Sequence, residues 1–397
     1  MTRCTALLVV DRRFIEIDGG TYTEGPIGAE TGGRYLRWFD RVIVAGRRGI
    51  RNASTRGLTN ITQPGLEIRY LPDLSGLGRR LRSADDARAA LDRLYAEADA
   101  VIARLPSELG VEAAVLAQRL DKPLALDVGG CVLDGMRAHG SLAGKVYAPV
   151  AYRRMRSVVR RAAWVSYVTQ HFLQERYPAM EGVRTVACSN VDLPEPVQDV
   201  LAARFARIAT ESGPLTFGTI GSLYGDFKGI QHAIAAFGRV GSRLPHFRYR
   251  VLGGGDPAPW RRLAVQHGVA DRVVFDGALP AGQAVLDWLD GVDVYLQPSL
   301  REGLPRALIE AMSRGCPAVA SDLAGIPELL PRELLHPPGD VAALAALIES
   351  IARASASVRR EQARRNWELA RRYAGSVLQQ VRDGFWGAFR ASLRPSS

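Results

Sequence analysis

Short apolar runs alternate along the whole chain with longer stretches of helical spacing. Runs rich in β-branched residues and free of interior Gly or Pro read as strands buried on both faces. In the first half such strands are expected at Ala6–Val10, Arg41–Val44, Leu66–Tyr70, Asp99–Ala103, Pro123–Asp127, Trp164–Val168 and Arg184–Ala187. Helices are expected at Ala29–Phe39, Ala84–Ala98 and Pro106–Arg119, and from Lys145 onward. After a Pro-containing connector, Leu193–Pro214 with one short helix, the alternation restarts. Its strands are Leu215–Ile220, Phe247–Leu252, Arg272–Phe275, Val292–Leu296, Ala318–Ala320 and Leu334–His336, and its last helices are Val341–Ala352, Val358–Tyr373 and Val377–Leu393. Strand-helix alternation of this kind predicts two parallel-sheet α/β domains. The expected division is 1–190, a linker 191–214, 215–375 and a terminal helix 376–397. Its Val381, Phe385, Trp386 and Phe389 need an apolar surface, and docking back on the first domain supplies one.

The stretch from Val292 to Glu328 concentrates the candidate chemistry. It reads as strand, loop, helix and strand, with Pro305 at the first helical position and Gly315 and Pro317 ending the helix. The loop therefore lies at the carboxyl end of a parallel strand, where open α/β sheets bind ligands. Glu302 and Glu310 mark that loop and helix. On a helical wheel Leu308, Ile309, Ala311 and Met312 share one arc, with Glu310 nearly opposite, between Arg306 and Arg314. A solvated glutamate with an arginine four residues away on either side is the simple reading; a carboxylate aimed into a cleft is the other.

Glycines stand at the ends of the other strands. Gly221 opens GSLYGDFKG, in which Lys228 precedes a helix, and an anion there would meet both amides and an ammonium. Gly254 lies in VLGGGD, Gly277 ends VVFDG, and Gly20 lies in the glycine-rich segment Asp18–Gly33 of the first domain. Each such loop permits close approach of backbone to ligand, and each also serves as a plain turn.

Composition narrows the function classes. The 397 residues carry a formal charge of +11, which calls for an anionic partner. The four cysteines and six histidines are scattered, with no zinc or disulfide spacing and no two aspartates in a D-x-D arrangement, so no metal is expected. GSLAGKV, Gly140–Val146, lacks the spacing of a phosphate loop, and His139 reads as a surface histidine. Between Lys145 and Arg176 seven basic residues face one acidic residue, with an apolar side at Val150, Met155, Val158, Val159 and Ala162. That pattern fits contact with an anionic membrane, and also a plain surface helix. No nucleic-acid motif accompanies the charge. With no membrane span and no signal-peptide core, a cytoplasmic protein is expected, with peripheral contact at the inner face of the membrane through 145–176.

The order of Gly221, Lys228, LGGG, VVFDG, DVYLQPS, EGLPRALIEAMSRG, PAVASD and GIPELL resembles the retaining glycosyltransferases of family 4. RLPS at Arg104 and TQHFLQERYP at Thr169 resemble its polysaccharide-biosynthesis branch. The resemblance implies a GT-B fold: two Rossmann-like domains facing an interdomain cleft, nucleotide sugar on the second, acceptor on the first and the C-terminal helix returning to the first. It implies that Glu302 contacts donor sugar hydroxyls and Glu310 the nucleotide ribose, while Lys228 and the Gly303–Arg306 backbone hold the diphosphate. Lys228 and Glu302 become the catalytic pair; Gly20, Gly221, Ser222, Gly254, Gly277, Gly303, Leu304, Arg306 and Glu310 join them in donor binding. Ser222 stands where many members carry an arginine, Pro305 removes one N–H donor, and LDVGGC lacks the histidine members often place after that strand.

The implied reaction is metal-independent, cofactor-free transfer of a hexose-type unit from a nucleotide diphosphate sugar to an acceptor hydroxyl, with configuration retained. The acceptor is a saccharide or lipid-linked saccharide of cell-surface polysaccharide or glycolipid assembly, or a small natural product. A nucleotide-sugar epimerase or hydrolase of similar fold, a non-catalytic scaffold and a nucleic-acid-binding protein are the alternatives.

Overall fold

The computed structural model describes residues 3–24, 33–49, 58–74, 77–138, 141–195, 197–210, 213–244 and 246–393. The chain divides into two units, Met1–Cys188 with Gln380–Ser397, and Ser189–Gln379.

The first unit contains β1 (Thr5–Ile17), β2 (Gly20–Glu24), β3 (Arg41–Arg48), β4 (Leu58–Asn60), β5 (Leu66–Leu71), α1 (Leu77–Glu97), β6 (Ala100–Leu105) and α2 (Glu108–Arg119). It continues with β7 (Leu124–Val128), α3 (Val132–Ala138), α4 (Leu142–Arg160), β8 (Trp164–Tyr167), α5 (Phe172–Arg176) and β9 (Arg184–Ala187). Its parallel strands run β5-β3-β1-β6-β7-β8-β9. Ala6, Leu7 and Val9 on β1 and Val101, Ile102 and Ala103 on β6 have no solvent exposure, as two-sided burial demands.

β1 runs past its apolar core because its far end pairs antiparallel with β2, Ile17 opposite Gly20. Asp18 and Gly19 between them have φ of 49° and 77°. Two left-handed residues are what a tight hairpin loop requires, and Asp-Gly is a favoured pair for it. The glycine-rich segment thus begins with a hairpin; its Gly25, Gly28 and Gly32 lie outside the described residues, as does His139. Of the helix expected at Ala29–Phe39, residues 29–32 also lie outside them, and the described part is one 3-10 turn at Arg34–Arg37. The basic helix expected from Lys145 to Arg176 ends at Arg160, where β8 takes over the chain.

The second unit opens with α6 (Gln198–Ala209), followed by β10 (Leu215–Ile220), α7 (Ile230–Val240), β11 (Phe247–Leu252), α8 (Ala258–Gln266), β12 (Val273–Gly277), α9 (Gln283–Asp290) and β13 (Val294–Gln297). Then come α10 (Arg306–Ser313), β14 (Ala318–Ser321), β15 (Leu335–His336), α11 (Val341–Ala352), α12 (Ala356–Ala370) and α13 (Gly375–Ser392). The connector expected around α6 is in fact bound tightly within this unit. Its buried Arg204 donates to the carbonyls of Leu289 (3.0 Å), Val292 (2.5 Å) and Arg314 (2.9 Å), while Leu201 and Ile208 pack on Ala363 and Trp367. The six-stranded sheet has the order β12-β11-β10-β13-β14-β15, all parallel. Connections from β10 leave toward one edge and those from β13 toward the other, so the topological switch lies between β10 and β13.

α13 begins in the second unit and ends in the first. Phe385, Trp386, Phe389 and Leu393 join the core containing Tyr35, Phe39 and Trp164. The Trp386 ring stands edge-on to Tyr35 at 4.9 Å. Asp383 holds Arg37 through two bonds of 2.7 and 3.0 Å and accepts from Trp38 Nε1 at 3.0 Å. Trp386→Ala is therefore expected to lower the stability of the first unit by about 3–5 kcal/mol, measured by urea unfolding.

Candidate functional site

The carboxyl edge of the second sheet is laced by backbone hydrogen bonds between successive loops. Gly221 N donates to Leu252 O (2.9 Å), Leu223 N to Gly254 O (2.8 Å) and Gly253 N to Gly277 O (2.7 Å). Leu300 N donates to Phe227 O (2.8 Å) and Gly325 N to Gly303 O (2.9 Å). The loops expected to converge here do so.

Close approach dictates glycine at particular points. Gly229, with φ of 70°, caps α7, and a Cβ there would collide with the Pro298 carbonyl oxygen. A Cβ on Gly253 would collide with the Gly221 carbonyl oxygen, whereas one on Gly254 would meet only Ala278 Cβ, at 3.7 Å. The spatial requirement thus falls on the neighbour of the expected glycine. Ser222 Oγ accepts from Tyr224 N at 3.2 Å and shapes its own loop. Gly20 belongs to the first unit, at the start of β2.

Lys228 arrives from the loop after β10 and Glu302 from the loop after β13, and they meet at 2.7 Å. Their strands flank the topological switch, so the pair stands where a parallel sheet opens a crevice. The Glu302 side chain is only 9% exposed, and its Oε1 also accepts from Gln297 Nε2 (2.9 Å) and Ser299 Oγ (2.7 Å). Gln297 and Ser299 escaped the sequence reading. Their one signal was a glutamine ending an otherwise apolar strand.

α10 follows. Leu308, Ile309, Ala311 and Met312 are fully buried against the sheet, as the wheel required. Pro305 is the residue before the first helical one, with Arg306 opening the helix, so the missing proline N–H falls outside the helix. Gly303 and Leu304 lead into it, and the first helical amides have no carbonyl partner within the helix. An anion at this end would meet those amides and the Lys228 ammonium together.

Glu310 does not form the ion pair that its arginine neighbours suggest. Arg314 instead binds Asp290 through two bonds of 2.7 and 2.6 Å. Burial lifts the Glu310 carboxyl above its ordinary range, partly offset by Arg306 and reinforced by Asp192. The Tyr295 hydroxyl is raised chiefly by burial, and the charges of Glu310 and Glu302 push it the same way. A carboxylate kept uncomfortable in this way accepts ligand hydroxyls readily. Because its folded-state pKa is raised, ionised Glu310 weakens the fold, an effect absent below the ordinary carboxylate range and growing as pH rises through it. Glu310→Gln is expected to raise the melting temperature by roughly 2–4 °C at neutral pH. Below about pH 4 the gain should vanish, as thermal melts across the pH range will show.

Among the described residues, no three His, Cys, Asp or Glu side chains gather as a metal-ion group. All four cysteines are buried and none forms a disulfide. No single helix among those residues is long and apolar enough to cross a membrane.

Residues 214–354 match the family model described as Glycosyl transferases group 1. The chain is 28% identical over 317 residues to Protein CapJ of Staphylococcus aureus, spanning 79% of this chain and 78% of that one. It is 36% identical over 141 residues to the amylovoran biosynthesis glycosyltransferase AmsK of Erwinia amylovora, spanning 33% and 34% of the two chains. The fold is similar to that of Anabaena HepE, solved with UDP-glucose, with a TM-score of 0.64, 16% identity and coverage of 96% and 98%. By fold the chain is a GT-B protein, and in sequence it is similar to glycosyltransferases.

Proposed function

We propose that this protein is a retaining glycosyltransferase of family 4 type that moves a hexose-type sugar from a nucleotide diphosphate sugar to an acceptor hydroxyl. The observation that carries this reading is the Lys228–Glu302 pair across the β10/β13 switch. HepE, solved with UDP-glucose, and AmsK, named for amylovoran biosynthesis, support the donor class and the setting in cell-surface polysaccharide or glycolipid assembly.

In this mechanism the α10 amides and Lys228 receive the donor diphosphate, Glu302 accepts hydrogen bonds from sugar hydroxyls and Glu310 accepts them from the ribose. The bond between the anomeric carbon and the phosphate oxygen breaks, and the acceptor oxygen bonds to that carbon on the same face. The acceptor's proton passes to the departing phosphate oxygen. Fixed positive charge beside that oxygen stabilises the transition state, and Lys228 and the helix amides supply it without a metal ion.

A thermal-shift panel of UDP, GDP, ADP, dTDP and their sugar conjugates, with and without EDTA, tests the donor site. One base should raise the melting temperature, and EDTA should not change the shift. Lys228→Ala should lower transfer roughly 10²- to 10³-fold; an undiminished rate would remove the assignment.

The acceptor is inferred to be lipid-linked on the strength of α4. Leu142, Val146 and Val150, successive at four-residue spacing, are 77%, 73% and 46% exposed. No acidic residue lies on this helix, and Lys145, Arg153, Arg156 and Arg160 are exposed. Arg154 turns inward to Glu108 and Glu112, at 2.6 Å each. An exposed apolar stripe with cationic flanks suits an anionic lipid surface at the inner face of the membrane of a cytoplasmic enzyme. The protein should float with phosphatidylglycerol vesicles and not with phosphatidylcholine alone, and Val146→Asp should abolish flotation. Failure to float would favour a soluble acceptor.

A further inference from the structure

We propose that Gln297 and Ser299 are positioning residues that hold Glu302 while Lys228 passes from it to the diphosphate of the donor. The inference rests on the functional reading above for the identity of that anion.

One oxygen, Glu302 Oε1, accepts from three donors: Lys228 Nζ at 2.7 Å, Ser299 Oγ at 2.7 Å and Gln297 Nε2 at 2.9 Å. A carboxylate offers about four lone-pair directions over its two oxygens. Three donors therefore compete for one oxygen, and Oε2 takes none of these bonds.

The three donors differ in freedom to leave. Ser299 is 0% and Gln297 1% exposed. Gln297 is fixed at its other end, where its Oε1 accepts from the Tyr295 hydroxyl at 2.9 Å, and that hydroxyl accepts from Ile220 N at 3.3 Å. Gln297 Nε2 also donates to Ser299 Oγ at 2.8 Å. The Lys228 side chain is 22% exposed and ends a flexible four-carbon stem. Lysine is thus the donor that departs.

Its departure would leave a buried carboxylate uncompensated if it were the sole partner, a costly state. Gln297 and Ser299 prevent that. They keep Oε1 hydrogen-bonded and leave Oε2 for a donor hydroxyl while the ammonium moves onto phosphate. In the unliganded site the lysine and the carboxylate neutralise each other, so the positive charge is released when the anion arrives.

The test is a double-substitution cycle read by calorimetric affinity for UDP, GDP, ADP and dTDP, with the matching monophosphates as controls. Ser299→Ala leaves Glu302 more dependent on Lys228, so it should weaken diphosphate binding about tenfold and monophosphate binding far less. Gln297→Leu should show the same selectivity, and thermal melts will establish that both variants are folded. Glu302→Gln frees the lysine and should strengthen diphosphate binding. In the Glu302→Gln protein, adding Ser299→Ala should have no effect on diphosphate affinity. Equal losses for mono- and diphosphate, or additive effects in the cycle, would overturn the inference with the functional reading left standing. Absence of binding by the unsubstituted protein to every diphosphate would overturn that reading and this inference with it.

Discussion

The second unit is built around a parting of ways. β10 and β13 lie side by side and parallel, yet their following connections turn toward opposite edges of the sheet. The backbone has to open there, because no helix crosses above the gap. Into it the chain sends one cation and one anion, from loops joined by the Leu300–Phe227 hydrogen bond. The ion pair is thus a product of topology: strand order opens the crevice and loop lacing sets what stands in it.

Around that gap, rigidity and looseness are distributed unequally. Tyr295, Gln297 and Ser299 form a buried polar chain whose members satisfy one another, and such a network fixes geometry strongly when complete. Glu310, by contrast, sits half-buried with its neighbouring arginine committed to Asp290. One carboxylate is held by protein donors, and under the proposed function the other is the one a ligand satisfies. That division is the chemical content of the pair, and the sequence spacing alone does not express it.

Much of this was legible before any coordinates. Leu215–Ile220 and Phe247–Leu252 have the bounds expected of them, although Arg248 and Arg250 interrupt the second run and turn one of its faces partly to solvent. Lys228, Glu302 and Glu310 were singled out by spacing and by the resemblance their motifs carry. What stayed hidden depends on contacts between distant positions. Nothing local marks Gly253 over Gly254, since the distinction lies in the approach of Gly221. Arg204 looked like one more basic residue in a proline-flanked connector, and its carbonyl partners lie 85 or more residues away. The hairpin at Asp18–Gly19 shared its composition with a ligand loop, and only strand pairing separates the two.

The return of α13 to the first unit has a consequence for biosynthesis. Phe385, Trp386 and Phe389 are part of the core that β1 and β3 begin, yet they leave the ribosome after the entire second unit. An N-terminal half that finishes folding first, as the general order for multidomain chains has it, is impossible here. The apolar floor formed by Tyr35, Phe39 and Trp164 must wait, incomplete, through synthesis of the second unit. A nascent chain of this protein therefore carries an open hydrophobic seam until α13 is released, and that interval is when a chaperone has something to hold.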